Sequence, residues 1–295
     1  MSTEIIDRAE ALGFIGIGFS TPQKPLYFDE FLSWVSARKN ADMSWMKRHV
    51  ELRENPGLLL RDCRTIISLA FPYSSHQPGT PDGFNVSRYS QPDQEDYHHR
   101  LRTICSELVG MLKDIYKGCK ARICVDSVPI LERSLAYASG IGFIGKNNML
   151  IIPGYGSYFY LAEIMTTAAL NVSSIEPMKN LCGSCTRCLD ACPVGALEKP
   201  FYLNASKCLS YLTIENKVHV NKEDGIKMGD CFFGCDRCQE VCPFNSDGKS
   251  RDVILPSTEE FLRMNRESFS VKFGSTAFAR AGIEKIKANI RAIKG

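Results

Sequence analysis

Nine of the chain's 13 cysteines lie between Cys182 and Cys242, spaced like metal ligands rather than scattered core thiols. The first run reads Cys182-x2-Cys185-x2-Cys188-x3-Cys192-Pro193. The second reads Cys235-x2-Cys238-x3-Cys242-Pro243, with Cys208 and Cys231 ahead of it. In such a run three thiolates hold one [4Fe–4S] cluster and the fourth crosses to a second cluster. The expectation is two [4Fe–4S] clusters that move single electrons. Spacing gives Cys182, Cys185, Cys188 and Cys242 to the first cluster, and Cys192, Cys235 and Cys238 to the second. Two clusters take eight thiolates, so one of the nine is surplus, and either Cys208 or Cys231 completes the second set. Local spacing favours Cys231, because one loop easily closes a Cys-x3-Cys step. Zinc is the competing metal, since Cys-x2-Cys pairs also build four-thiolate zinc sites. The continuous first run is far more typical of iron–sulfur. A disulfide framework fits less well, because disulfide-dense chains are usually short and secreted. Cys63, Cys105, Cys119 and Cys124 sit in apolar or amphipathic stretches and read as buried thiols.

The rest of the chain must position these ligands and supply whatever they reduce. Its 295 residues suit one large or two modest domains, and 44% apolar content is that of a globular protein. No segment nears the ~20 apolar residues that span a bilayer. The acidic, short-cored start Met1-Ser-Thr-Glu-Ile-Ile-Asp-Arg is not a secretory signal, so a cytoplasmic location is expected. The net charge of +3 is too small to decide on partners. From Phe261 to Gly295, eight Lys/Arg against two Glu leave the tail at +6. Such a tail grips phosphate backbones or forms a solvated helix face, and charge alone favours the second reading.

Periodicity predicts a helix over 2–13, a short strand over Phe14–Phe19 and a helical stretch over 28–50. A buried strand follows at Thr65–Phe71, then a long loop over 73–93 and a helix over about 94–117. Arg122–Val125 reads as a strand ending at Asp126, with a helix starting at Pro129. Met149–Ile152 and Ser157–Thr166 read as a strand pair joined by the turn Pro153-Gly-Tyr-Gly156. The expectation is an α/β domain, α+β in detail, over 1–174. A ferredoxin-like two-cluster module follows over 175–250, and a basic helical tail over 251–295. Gly140-x-Gly142-x-x-Gly145 matches a dinucleotide fingerprint only formally. That motif must follow a strand and open a helix, and here the order is reversed.

Beyond the cysteines, the ordered motifs resemble those of the epoxyqueuosine reductases over nearly the whole chain. They are Arg53-Glu-Asn-Pro56, Ser87-Arg-Tyr89, Asp96-Tyr-His98, Val125-Asp-Ser-Val-Pro129 with Leu131-Glu-Arg133, and Gly140 to Asn147. Ser157 to Leu161 with Glu163, Cys208-Leu-Ser-Tyr-Leu-Thr-Ile-Glu215 and Gly234 to Asn245 complete the set. The resemblance implies a fold similar to the reductive dehalogenases, with cobalamin beside two [4Fe–4S] clusters. It implies reduction of epoxyqueuosine at the tRNA wobble position, the last step of queuosine formation, with an external low-potential electron donor. It assigns Cys208 to the second cluster and leaves Cys231 spare. Longer family members carry a C-terminal helical-repeat extension that this sequence does not include. A soluble monomer is the expectation.

The resemblance also names site residues. Asp126 matches the family's acid, and a carboxyl desolvated at a strand end would hold a proton near neutrality. The competing role for Asp126 is N-cap of the helix after Pro129. Arg53, Tyr89, Lys146, Asn147, Leu150, Ser157, Ser210 and Tyr211 are cofactor-pocket candidates. His98 falls in a near miss to a corrinoid-ligand motif, Asp96-Tyr-His98-His-Arg-Leu101, and is expected to be a pocket or structural residue. Arg280, Lys285, Lys287 and Arg291 are the basic candidates for a tRNA surface.

Overall fold

The computed structural model describes residues 2–170, 176–218, 220–245 and 251–295. The expected boundaries at 174/175 and 250/251 touch residues outside these ranges. At the centre is a four-stranded sheet, Gly16–Ser20, Thr65–Pro72, Phe159–Thr166 and Ala121–Cys124 in spatial order. Every neighbour pair is antiparallel, so the fold is α+β. Thr65–Pro72 and Phe159–Thr166 occupy the middle, and both are nearly continuous runs of apolar residues because helices cover both faces.

Alternation along the strands sorts the two faces. Ile67, Leu69, Ala162 and Ile164 pack against Ile5 and Ala9 of helix Ser2–Ala11 and Leu101, Leu108 and Leu112 of helix Tyr97–Ile115. Ile66, Ala70, Phe159 and Met165 point the other way, onto Leu135 and Ala136 of helix Glu132–Ala138. At Gly18 an added Cβ would lie 2.4 Å from the Ser139 carbonyl, so only glycine lets that helix end approach the sheet.

Two local expectations change. The stretch 28–50 is not one helix: it breaks after Phe28–Ser36, where Arg38, Ala41 and His49 take positive φ, and resumes only at Val50–Glu54. Leu150–Ile151 does not pair along Phe159–Thr166. It forms a hairpin with Phe143–Ile144, leaving a single bridge between Ile152 and Gly156. The central sheet needs Phe159–Thr166 between two other strands, so both its edges are already taken.

The basic tail packs into the body. Phe261, Phe269, Phe273, Phe278, Ile283, Ile286 and Ile290 bury against Phe232, Phe233 and Val86. Helix Thr258–Arg263 opens with a capping box built by Ser257 and Glu260, and Arg266–Phe273 with one built by Asn265 and Ser268. Among the described residues no helix is long and apolar enough to cross a membrane.

Candidate functional site

Asp126 sits just past the edge strand Ala121–Cys124 in a left-handed conformation, φ 49°. A non-glycine residue there costs about 1–2 kcal/mol, and such strain gathers at functional sites. It is not a helix cap: the following helix starts at Glu132, after Leu131. Glu132 instead reaches back, its Oε1 accepting the Asp126 N–H at 2.6 Å. The Asp126 carboxylate faces the first turn of helix Tyr97–Ile115. Its Oδ2 accepts from Tyr97 Oη at 3.0 Å and lies 3.0 Å from His98 Nε2. The other His98 nitrogen, Nδ1, is 2.5 Å from Asp96 Oδ1, and Asp96 caps the helix through the His98 N–H.

Two carboxylates therefore bracket one imidazole. Burial lowers the proton affinity of His98, but hydrogen bonds to Asp126 and Asp96 outweigh it and push its pKa up to about 9. Burial tends to raise Asp126, yet the contacts from His98 and Tyr97 pull it below the ordinary carboxylate range. This corrects the expectation that Asp126 itself holds a proton near neutrality: at pH 7 the proton sits on His98. Glu132 behaves in the opposite way. Burial, and then the Asp126 charge, push it up to about 8. Beneath it Glu163, 0% exposed and opposite both Ser68 and Cys124 in the sheet, has no hydrogen-bond partner for either oxygen among the described residues. Burial drives its pKa well up, which favours the neutral acid over the carboxylate.

The site is open to solvent on one side. The Asp126 side chain is 46% exposed although protein surrounds it on most sides. Arg133 is likewise exposed, yet desolvated enough to lower its pKa. The floor is aromatic: Tyr97 stacks on Tyr160 with ring centroids 4.4 Å apart, and Tyr89 meets Tyr97 edge-on at 6.3 Å. A flat cofactor over such a floor, with an acid at its edge, fits this shape. Arg280 approaches from the tail, bonded to Glu215, and its charge is felt by Asp126, Tyr89 and Tyr97. Cavities of about 250 and 240 Å³ lie beside Cys231 and Cys235 and beside Asp96 and Gly274.

The cysteines fall into two neighbourhoods. Burial raises the Cys188 and Cys242 thiols, with Cys182 adding to both and Cys185 to Cys242. Burial likewise raises Cys208, Cys235 and Cys238. Cys192 adds at Cys208, Cys208 at Cys235, and both Cys208 and Cys235 at Cys238. Cys231 is also near Cys235, but its Sγ donates to the Phe233 and Gly234 carbonyls, 3.5 Å to each. Among the described residues no three His, Cys, Asp or Glu side chains converge as a single metal ion requires. A four-iron cube is held by more widely spread sulfurs than a single ion is. Thiolates crowded together in a buried site would repel, and cluster iron neutralises them.

The remaining candidates do varied work. Tyr89 lines the cleft and stacks on Phe233 at 6.3 Å. The Arg53 guanidinium is spent on the carbonyls of Arg48, His49 and Trp45, and it holds that turn together. Lys146 and Asn147 reach the cysteine loops: Lys146 Nζ donates to the Gly183 and Cys185 carbonyls at 2.6 and 2.9 Å, Asn147 Nδ2 to Cys238 O at 3.2 Å. Ser157 is buried against Gln239 and Asn245, and Leu150 lies in the apolar layer under the hairpin. Tyr211 Oη pairs with Asp42, and Ser210 stands beside Cys208 at the head of a π-helical turn. Among the basic candidates Lys285 is corrected: it is buried, and its Nζ donates to the Val218 carbonyl. Lys287 is half-buried and Arg291 exposed. Sequence reasoning missed the roles of Tyr97, His98 and Glu132 around Asp126. All three sat inside quoted motifs, but nothing local says that a helix start near residue 97 meets a strand end near residue 126.

Comparison with known proteins accords with this arrangement. Residues 181–245 match the 4Fe-4S double cluster binding domain, and residues 53–127 match the epoxyqueuosine reductase QueG family, DUF1730. An epoxyqueuosine reductase from Cellulophaga algicola is 31% identical, covering 97% of this chain and 96% of its own. One from Bacillus subtilis is 33% identical, covering 98% of this chain and 77% of its own. A crystal structure of epoxyqueuosine reductase with an epoxyqueuosine-modified tRNA-Tyr stem loop superposes with a TM-score of 0.88. It is 32% identical, over 99% of this chain and 80% of that one. The Streptococcus thermophilus epoxyqueuosine reductase gives a TM-score of 0.87 at 29% identity, with the same coverage. With two cysteine groups, an acid–imidazole cleft and full-length likeness in one body, this chain belongs to the epoxyqueuosine reductase family.

Proposed function

We propose that this protein reduces epoxyqueuosine to queuosine at the wobble position of tRNA. The carrying observation is the full-length likeness to a reductase solved with an epoxyqueuosine-modified stem loop. The reaction takes two electrons and two protons and releases the epoxide oxygen as water. Cobalamin, when bound, supplies the strongly reducing metal centre, and the aromatic-floored cleft beside Asp126 is where this chain would hold it. Tyr89, Arg133 and Arg280 line that cleft. The eight proposed cluster ligands are Cys182, Cys185, Cys188 and Cys242, and Cys192, Cys208, Cys235 and Cys238. An external low-potential donor supplies the electrons.

The chain's own part is positioning and protons. His98 Nε2 holds a proton against Asp126 Oδ2, with Tyr97 fixing the carboxylate from the side. A bulky nucleoside entering the cleft displaces water from the half-open Asp126. Desolvation raises the carboxylate's proton affinity and draws the proton from His98 onto Asp126, toward the leaving oxygen. Asp96 keeps His98 charged and correctly turned until then. A cytoplasmic location suits thirteen unpaired cysteines.

The test is one anaerobic assay. Reconstituted protein, cobalamin and a low-potential reductant are incubated with tRNA from cells that accumulate epoxyqueuosine, and digested nucleosides are read by mass spectrometry. Cobalamin-dependent loss of one oxygen supports the proposal. Persistence of the epoxide with clusters and cobalamin spectroscopically intact would overturn it.

A further inference from the structure

The hairpin turn Gly145–Asn148 touches both cysteine loops, and does so with two adjacent residues of different charge. Lys146 sends its ammonium to the carbonyls of Gly183 and Cys185, inside the loop Cys182–Cys188. Asn147 sends a neutral amide to Cys238 O, inside the loop Cys235–Cys242. A side chain at Gly145 would lie 2.8 Å from Asn147 Oδ1 and 2.6 Å from the end of Ile151, so the turn is tight there. Asn180 and Phe201 hold the turn in place. Asn180 Nδ2 donates to the Ile144 carbonyl at 2.5 Å, while its Oδ1 accepts the Cys182 N–H at 2.9 Å. Phe201 N–H donates to the Lys146 carbonyl at 3.0 Å.

The second loop has mixed charges around it, and Arg237 acts on Cys235. Arg88 lies between Asp236 and Glu240, at 3.3 and 2.7 Å, so one cation stands among two carboxyls. Reducing a [4Fe–4S] cluster by one electron adds one negative charge, and a nearby fixed cation stabilises the reduced form. Hydrogen bonds from the ammonium also polarise the peptides of the first loop, as outer partners tune other metal sites.

We propose that Lys146 is a positioning residue that sets the reduction potential of the first cluster above that of the second. The electron from the external donor then rests on the first cluster. This rests on the reading that both clusters are present.

The experiment is an anaerobic potentiometric titration followed by electron paramagnetic resonance on the intact, cluster-loaded protein. Wild type, Lys146→Met, Lys146→Gln and Lys146→Arg are compared, and Cys185→Ser identifies the first cluster's signal. Two separated midpoints are expected in the wild type. Methionine and glutamine should both lower the first cluster's midpoint and narrow the gap, while arginine preserves it. Glutamine keeps the hydrogen-bond donor and serves if methionine prevents cluster assembly. Midpoints unmoved in both neutral variants, a shift of the second cluster, or an equal shift of both would overturn the proposal. A wild-type protein without four-iron signals would overturn the cluster reading instead.

Discussion

The loops around Cys182–Pro193 and Cys235–Pro243 are near repeats in sequence and opposites in surroundings. In the first, Leu181, Gly183, Ser184, Thr186 and Arg187 are exposed. In the second, Phe232, Phe233, Gly234, Asp236 and Gln239 are buried. The first loop is thus the more exposed of the two. The second is packed between the aromatic tail core and the Ser157–Asn245 network. Both loops share the Cys-x2-Cys-x3-Cys-Pro ending, and the first carries one cysteine more. Burial is where they differ most.

The largest expected effect would break the comparison outright. Cys208→Ser should lose about half of the bound iron and all turnover, whereas Cys231→Ser should keep both, because its thiol is already bonded to carbonyls. Iron analysis with spectroscopy checks this; equal iron loss in both variants would exchange their roles. Next comes Asp126→Asn, which leaves both loops alone. Turnover should fall roughly 10²–10⁴-fold with both cluster signals unchanged, as for loss of a positioned acid. Normal turnover would remove Asp126 from the chemistry.

A third test sharpens the contrast directly. Gly234 has φ 76°, and a Cβ there would lie 2.0 Å from Ser87 Oγ; Gly183 has φ 51° with nothing within 4 Å. Gly234→Ala should cost about 3 kcal/mol, from left-handed strain plus overpacking, and Gly183→Ala only about 1. Anaerobic thermal melts of the loaded protein measure both, and equal costs would mean the second loop is not enclosed.

The smallest effect depends on pH and spares both loops. The His98 pKa is raised by folding, so its stabilisation is complete below about 6.5 and disappears as pH rises to about 9. It should be on the order of 2 kcal/mol, because the half-open Asp126 side is screened by water. The melting-temperature gap between wild type and His98→Asn should close across that window. A pH-independent gap would mean that His98 is held by packing rather than charge.

Much of this was legible in the chain. Strands Thr65–Pro72 and Phe159–Thr166 announce themselves as apolar runs, and helix Tyr97–Ile115 by its period. The pairing of Leu150–Ile151 was not legible, because short apolar segments fit several partners and the sheet's vacancies decide among them. The engagement of Lys285 was hidden for a similar reason. Charge reads the same in sequence whether an ammonium faces water or the Val218 carbonyl.

The sequence by itself determined the iron–sulfur chemistry and the family, because ligand spacing and short ordered motifs are local properties of the chain. Only the tertiary structure decided how Asp126 and His98 are paired. That depends on His98 standing 3.0 Å from Asp126 and 2.5 Å from Asp96, groups brought together from a helix start and a strand end. It also turned Cys208 toward Cys192, Cys235 and Cys238 and Cys231 toward backbone carbonyls, since burial and hydrogen bonding at each sulfur are set by the whole fold.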